Sequence, residues 1–381
     1  MTPAPSGWSL WFNCAAWIGV LVAQQPAPAL ADDPPPFSRS GVVMVSETSA
    51  SVMAAEKVLA EFPPGTVLRY SKENGPWLLI PRHRGWIKRT AVLPIELAED
   101  HYSSILAERP TADAFHHRGI ARLETGKLPE AIADFNEAQA RNPKDAAVLV
   151  NRGVARLRSG NPDAALQEFT AALQIDPDEL LALINRSSLL LERGQPDAAL
   201  IDIEAILAVD PGSAEALVNR GVARRLQGRL DEALADYNLA LQAWPEYAEA
   251  LANRGYVRKA LGDHAAALED YERALQLAPE LSAVMNDAAW LLATCPDESV
   301  RNPQRAVQLA EQAAALAPKN GDYLDTLAAA YAAAGRFEDA IARAEAALPL
   351  LGEADRGPVS ARIEDYRRQR PFVETRNAPS N

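Results

Sequence analysis

From Ala112 to Pro279 the chain sets residues of one size class at a constant step of 34. With Ala112 as position 1, position 8 is Gly119, Gly153, Ser187, Gly221 and Gly255, and position 20 is Ala131, Ala165, Ala199, Ala233 and Ala267. Position 24 is bulky (Phe135, Phe169, Ile203, Tyr237, Tyr271), position 27 is mostly alanine (Ala138, Ala172, Ile206, Ala240, Ala274), and position 32 is proline (Pro143, Pro177, Pro211, Pro245, Pro279). Positions 20, 24 and 27 are spaced like one face of a helix. Small residues at 8, 20 and 27 let two antiparallel helices approach closely, while the residue at 24 fills the groove between them. Proline at 32 stops the second helix. Each pair has an apolar side that only a neighbour can cover, so the pattern predicts stacked helical hairpins.

The stretch NRGVARLRSG at Asn151 returns as NRGVARRLQG at Asn219 and NRGYVRKALG at Asn253, with looser copies at His117 and Asn185. Together these positions resemble the tetratricopeptide repeat. The resemblance implies a mainly α fold, an α-solenoid of about seven hairpins over 112–352, with units near 112–145, 146–179, 180–213, 214–247, 248–281, 282–320 and 321–352. In the sixth unit NDAAWLL (Asn286 to Leu292) opens a first helix, yet Ala306, Ala310 and Ala313 come five residues late. The extra residues fall in ATCPDESVRNPQ, Ala293 to Gln304. This terminal pair resembles exported bacterial tetratricopeptide proteins of planctomycete type. At the edges, 95–111 reads as an orphan helix linking the repeats to what precedes them. Residues 356–370 read as a capping helix and 371–381 as a frayed tail.

Before the repeats, over 37–94, the pattern shortens to β-prone runs: GVVMV (Gly41 to Val45), TVLRY (Thr66 to Tyr70), WLLI (Trp77 to Ile80) and GWIKR (Gly85 to Arg89). Turn residues separate them, which predicts hairpins. Pro64, Gly65, Val67, Trp77, Gly85, Trp86 and Ile87 resemble the bacterial SH3-like domains of exported proteins, implying a small all-β barrel, in which Trp77 and Trp86 read as core residues or, alternatively, as binding aromatics. The run Ser49 to Phe62 looks more helical than such a domain requires. Arg82, Arg84, Lys88 and Arg89 form a basic patch that reads either as solvated surface or as a site for an anionic wall polymer.

Residues 1–31 stand apart: an apolar run from Trp8 to Ala23, then Ala29-Leu30-Ala31, a small-residue cleavage pattern. The expectation is an exported, extracytoplasmic protein with no membrane span after signal cleavage; an uncleaved N-terminal anchor is the alternative. Across 381 residues the formal charge is -13, which argues against nonspecific nucleic-acid binding. The cysteines, Cys14 and Cys295, are too few for a disulfide framework or a thiolate metal cluster.

Position 6 of the first helices is His117, Asn151, Asn185, Asn219, Asn253 and Asp287. Some members of the resembled family use asparagines here to grip an extended peptide, which assigns Asn151, Asn185, Asn219 and Asn253 to a peptide ladder with His117 and Asp287 as its ends. A local backbone cap is the competing reading. Position 7 is Arg118, Arg152, Arg186, Arg220 and Arg254, and position 23 is Asp134, Glu168, Asp202, Asp236 and Asp270. Such regular placing predicts interhelical ion pairs, taken as exposed and therefore weak. No metal-ligand spacing, nucleophile elbow or phosphate loop occurs, and neither cofactor nor metal is expected. The sequence thus predicts a non-enzymatic scaffold for a protein or peptide partner. The alternative is a cell-envelope or peptidoglycan-associated module led by the basic β domain.

Overall fold

The computed structural model describes residues 41–46, 49–54, 57–80 and 85–375. The expected signal (1–31), Cys14, Arg82, Arg84 and residues 376–381 lie outside them. The chain divides into two compact units. Among described residues, one runs from Gly41 to Leu190 with Glu204–Asp210, the other holds Leu191–Ile203 and runs from Pro211 to the C-terminal end.

The first unit begins with eight strands: β1 (Gly41–Val45), β2 (Ala50–Ala54), β3 (Lys57–Phe62), β4 (Val67–Tyr70), β5 (Lys72–Asn74), β6 (Trp77–Ile80), β7 (Gly85–Lys88) and β8 (Val92–Pro94). They form two antiparallel sheets, ordered β4-β1-β8 and β3-β2-β7-β6-β5, over a core that includes Val45, Val52, Phe62, Ile80 and Ile87. The sheets are open, which corrects the expected SH3-like barrel: among the described residues no ladder joins edge strands β3, β4, β5 and β8. Closure needs every edge row of N–H and C=O groups paired. Here β5 and β8 have three residues each, and Pro63 and Pro64, between β3 and β4, bring no N–H. The helix-like run Ser49 to Phe62 is the β2–β3 hairpin, with a register shift between Val52 and Met53. Trp77 and Trp86 are half-buried, while aliphatic residues dominate the core.

Helix α1 (Ile95–Glu108) buries Ile95, Ala98 and Tyr102 in a second cluster with Met44 of β1 and Ala121 of the first hairpin. Arg122 donates to Glu99 of α1 at 3.0 Å and Lys127 donates to the same carboxylate. Hydrogen bonding by Lys127, then by Arg122, holds the Glu99 pKa below its ordinary value. Hairpins α2 (Ala112–Glu124) with α3 (Leu128–Arg141) and α4 (Ala146–Arg158) with α5 (Pro162–Ile175) follow. The division between the units falls within α6 (Leu180–Glu192) and α7 (Pro196–Val209).

The second unit stacks α8 (Ala214–Leu226) with α9 (Leu230–Ala243), α10 (Ala248–Ala260) with α11 (His264–Leu277), α12 (Ser282–Thr294) with α13 (Pro303–Leu316), and α14 (Gly321–Ala333) with α15 (Phe337–Ala347). With α6 and α7 this makes about seven helical hairpins of a mainly α solenoid. The late register of the sixth hairpin is a loop from Cys295 to Asn302, whose Asn302 side chain accepts from Arg305 N–H and caps α13. Helix α16 (Glu353–Arg367) packs on α15 and buries Val359, Ile363 and Tyr366. Residues 371–375, expected to fray, lie against α12 instead: Glu374 N–H donates to the Thr294 carbonyl at 2.8 Å.

Two contacts recur in the hairpins. The first is the aromatic ring at position 24 against the bare backbone at position 8. A Cβ on Gly153 would lie 2.6 Å from Phe169, and one on Gly221 would lie 2.5 Å from Tyr237. The second is a carboxylate at position 23 held between two arginines of the partner helix. Asp134 takes Arg118 at 2.7 Å and Arg122 at 2.8 Å; Glu168 takes Arg152 at 2.7 Å and Arg156 at 2.9 Å. Asp236 takes Arg220 at 2.8 Å and Arg224 at 2.7 Å; Asp270 takes Arg254 at 2.7 Å and Arg258 at 2.9 Å. These carboxylates are buried, Asp236 to 1% exposure, so the pairs are not the exposed, weak ladder that spacing suggested.

Removing such a carboxylate takes the shared buried anion from two half-buried guanidinium groups. Asp236→Ala is expected to destabilise by about 3–5 kcal/mol, whereas Arg224→Ala, which leaves the Arg220 bond, costs less. Gly221→Val is expected to cost about 1–3 kcal/mol through overpacking against Tyr237. Urea unfolding followed by circular dichroism checks all three; a midpoint for Asp236→Ala equal to that of Arg224→Ala would show that the carboxylate is not the shared anchor.

Candidate functional site

In the first six hairpins position 6 lies on the first helix, and all six residues there are half-buried. In the first unit, Asn151 Nδ2 is 2.8 Å from His116 Nε2. With the amide donating, the imidazole accepts and is neutral. Burial, with a smaller push from His117, lowers the His116 pKa to about 4, which keeps that form at neutral pH. The His117 ring centroid is 5.2 Å from that of Tyr102 and 5.9 Å from that of His116, and a Cβ on Gly65, a turn residue at φ 82°, would meet its Cδ2. Burial also lowers the His117 pKa. Asn185 Nδ2 donates to its own helix at the Leu181 carbonyl, 2.7 Å away.

The second unit carries Asn219 on α8, Asn253 on α10 and Asp287 on α12. Asn253 Nδ2 donates to the Glu249 carbonyl at 2.9 Å, the same four-residue back-bond as Asn185. Each back-bond uses one of two amide protons. Asp287 is desolvated, which lifts its pKa to about 6 against the pull of Lys259, Asn286 and Arg225. Within the second unit position 6 is thus a stripe of two neutral amides ended by a carboxyl that holds a proton more readily than an ordinary carboxylate.

The arginines beside the stripe are committed elsewhere. Arg118, Arg152, Arg220 and Arg254 clamp Asp134, Glu168, Asp236 and Asp270, while Arg152 and Arg254 also donate to Asn136 at 2.8 Å and Asn238 at 2.9 Å. Arg186 reaches Thr170 at 3.5 Å within the first unit, and Asp202 is buried in the second. Sequence reasoning missed the second arginine of each clamp, Arg122, Arg156, Arg224 and Arg258. Their signal is the four-residue step from position 7, which repeats in these four hairpins and gives way to Leu190 in the third.

Of the expected basic patch, Lys88 and Arg89 lie among the described residues. Lys88 Nζ lies 5.7 Å from the Trp77 ring centroid, and Arg89 is exposed in a short 3-10 turn. Among the described residues no group of three or more His, Cys, Asp or Glu side chains could hold a metal ion, and no helix is long and apolar enough to cross a membrane. Cys295 is fully buried, and that burial raises its thiol pKa, the reverse of nucleophile activation.

Models of the tetratricopeptide repeat match residues 116–179, 184–248 and 248–281. No curated protein matches the chain. Among solved structures, the chain is similar to one from the APC/C hetero-tetramer Cut9–Hcn1, with a TM-score of 0.55 and 18% identity over 62% of this chain and 45% of that one, so it spans less than half of that relative. It is also similar to yeast Tom70, with a TM-score of 0.48 and 17% identity over 72% of this chain and 59% of that one. MamA from Desulfovibrio magneticus RS-1 matches with a TM-score of 0.41 and 23% identity over 45% of this chain and 96% of that one. At these identities the likeness concerns the fold. Glycine at 8 meets an aromatic ring at 24 in the packing seen here, and residues 116–179 and 184–281 are tetratricopeptide repeats.

Proposed function

We propose that the chain is a non-enzymatic scaffold whose first-helix faces bind a linear peptide of a partner protein. The observation that carries this reading is the half-buried amides at Asn151 and Asn185 in the first unit and at Asn219 and Asn253 in the second, with Arg152, Arg220 and Arg254 beside them already bonded to buried carboxylates. An amide donates to a peptide carbonyl and accepts from a peptide N–H, so such a stripe grips a backbone with little regard to its side chains. The back-bonds of Asn185 and Asn253 hold their side chains in one rotamer while leaving a second amide proton to donate. Asp287, with its raised pKa, extends the stripe at the C-terminal side. Work outside the cytoplasm belongs to the proposal, supported by the apolar run Trp8 to Ala23 followed by Ala29-Leu30-Ala31.

Linear peptides selected from a random display library against the full chain provide the probe. Calorimetry with a selected peptide is expected to show a loss of about 1–3 kcal/mol for Asn219→Ala or Asn253→Ala, with melting temperatures close to wild type. Unchanged affinity beside lowered melting temperatures would make the asparagines structural caps and end the ligand reading. For location, fractionation of the native host with an antibody to the repeats should recover the chain outside the cytoplasm; recovery in the cytosol would remove that part.

A further inference from the structure

The C-terminal residues supply an occupant for one such face. After α16 the backbone reverses at Gln369, a non-glycine residue at φ 57°, with Gln369 and Arg370 N–H groups donating back to the Tyr366 and Asp365 carbonyls at 2.9 Å. Pro371 then prevents any further helical turn. From Pro371 to Thr375 exposure alternates: Phe372 and Glu374 are half-buried, while Pro371, Val373 and Thr375 are exposed. That period of two belongs to an extended segment laid on a surface.

The surface is the first-helix face of the sixth hairpin. Asp287, Trp290 and Thr294 of α12 are spaced i, i+3 and i+7, so the tail touches the stripe that carries position 6. Three kinds of contact hold it. Trp290 Nε1–H donates to Glu374 Oε1 at 2.6 Å, and Glu374 N–H donates to the Thr294 carbonyl, which lies in the last turn of α12. Phe372 sits 5.8 Å from Trp290, ring to ring, and the Arg362 guanidinium lies over both, 5.4 Å from Trp290 and 5.3 Å from Phe372. Arg362 is fixed by two hydrogen bonds to Asp325, which is buried on α14. The seat therefore contains an aromatic niche with an immobilised cation, an indole donor for a carboxylate, and a carbonyl acceptor between them.

We propose that this seat is a recognition subsite for a linear segment carrying an aromatic residue two positions before a carboxylate, and that Phe372–Glu374 fill it in cis until such a segment of a partner protein displaces them. The proposal rests on reading the first-helix faces as peptide-binding surfaces, and it adds the side-chain chemistry that the amide stripe does not supply. Tethering by the few residues after α16 sets an effective tail concentration on the order of millimolar, so the resident segment screens out weak ligands. Its few contacts and half-buried side chains keep it displaceable.

The test uses the full chain and a fluorescein-labelled peptide of residues 369–375. By anisotropy, the double variant Phe372→Ala with Glu374→Ala is expected to bind this probe at least tenfold more tightly than wild type, and adding Trp290→Ala should abolish the gain. Hydrogen exchange on the wild type is a second measurement that needs no variant: saturating unlabelled peptide should speed exchange of the Glu374 amide. Equal probe affinity in wild type and the folded double variant, or a Glu374 amide indifferent to peptide, would make the tail a fixed part of the fold. Wild type that doubles its mass with concentration, and loses this behaviour in the double variant, would replace the partner segment with the tail of a second copy. Loss of the Asn219 and Asn253 effects with probe binding retained would sink the stripe and spare the subsite; the opposite result would do the reverse.

Discussion

The contact between the ring at position 24 and the bare backbone at position 8 sets the geometry on which the other features depend. It brings the two helices of a hairpin so close that a single added methyl meets the ring of Phe169 or Tyr237. At that separation the carboxylate at position 23 reaches across to its arginines, and it is buried because the approach leaves water no room. The first helix is then oriented with its position-6 residue turned away from its partner. A wider hairpin would lose the clamp and aim the amide elsewhere.

The clamp also decides what kind of surface the stripe is. Arginines beside asparagines invite a phosphate or carboxylate reading, but a guanidinium already bonded twice to a buried carboxylate has little left to offer a ligand. The exposed chemistry is that of the amides. At the C-terminal end the same logic is rearranged: position 7 is Ala288 in the sixth hairpin, and the fixed cation comes from Arg362 of α16, paired with Asp325 at position 5 of the seventh. Here the arginine lies over aromatic rings, 5.4 Å from Trp290 and 5.3 Å from Phe372.

The repeat architecture was legible because packing imposes size classes that survive in a single sequence. Gly221, Ala233, Tyr237 and Pro245 each occupy places whose size or backbone demands a narrow class of residue, and their spacing states the fold. The β region was legible only strand by strand. Whether edges meet depends on the hydrogen-bond rows of β3, β4, β5 and β8, which side-chain alternation within a strand does not encode. Ser49 to Phe62 was misread because its alanines favour helix, whereas its pairing is decided by β7 and the shared core. The clamps were half legible: the acid and its first arginine were found, but Arg224 and its equivalents required knowing that one carboxylate faces two turns of the partner helix. The contact between Trp290 and Glu374 spans 84 residues and follows from no periodicity.

The clamps also redistribute charge. Four of them hold eight half-buried arginines against four buried carboxylates, so each clamp keeps one net positive charge between its helices. Those charges still count toward the formal -13 of the whole chain, and the remaining residues outweigh them. Anything approaching the protein meets a net negative field, screened over about 8–10 Å at physiological salt. Diffusional encounter thus favours cationic partners before any amide or indole is within reach.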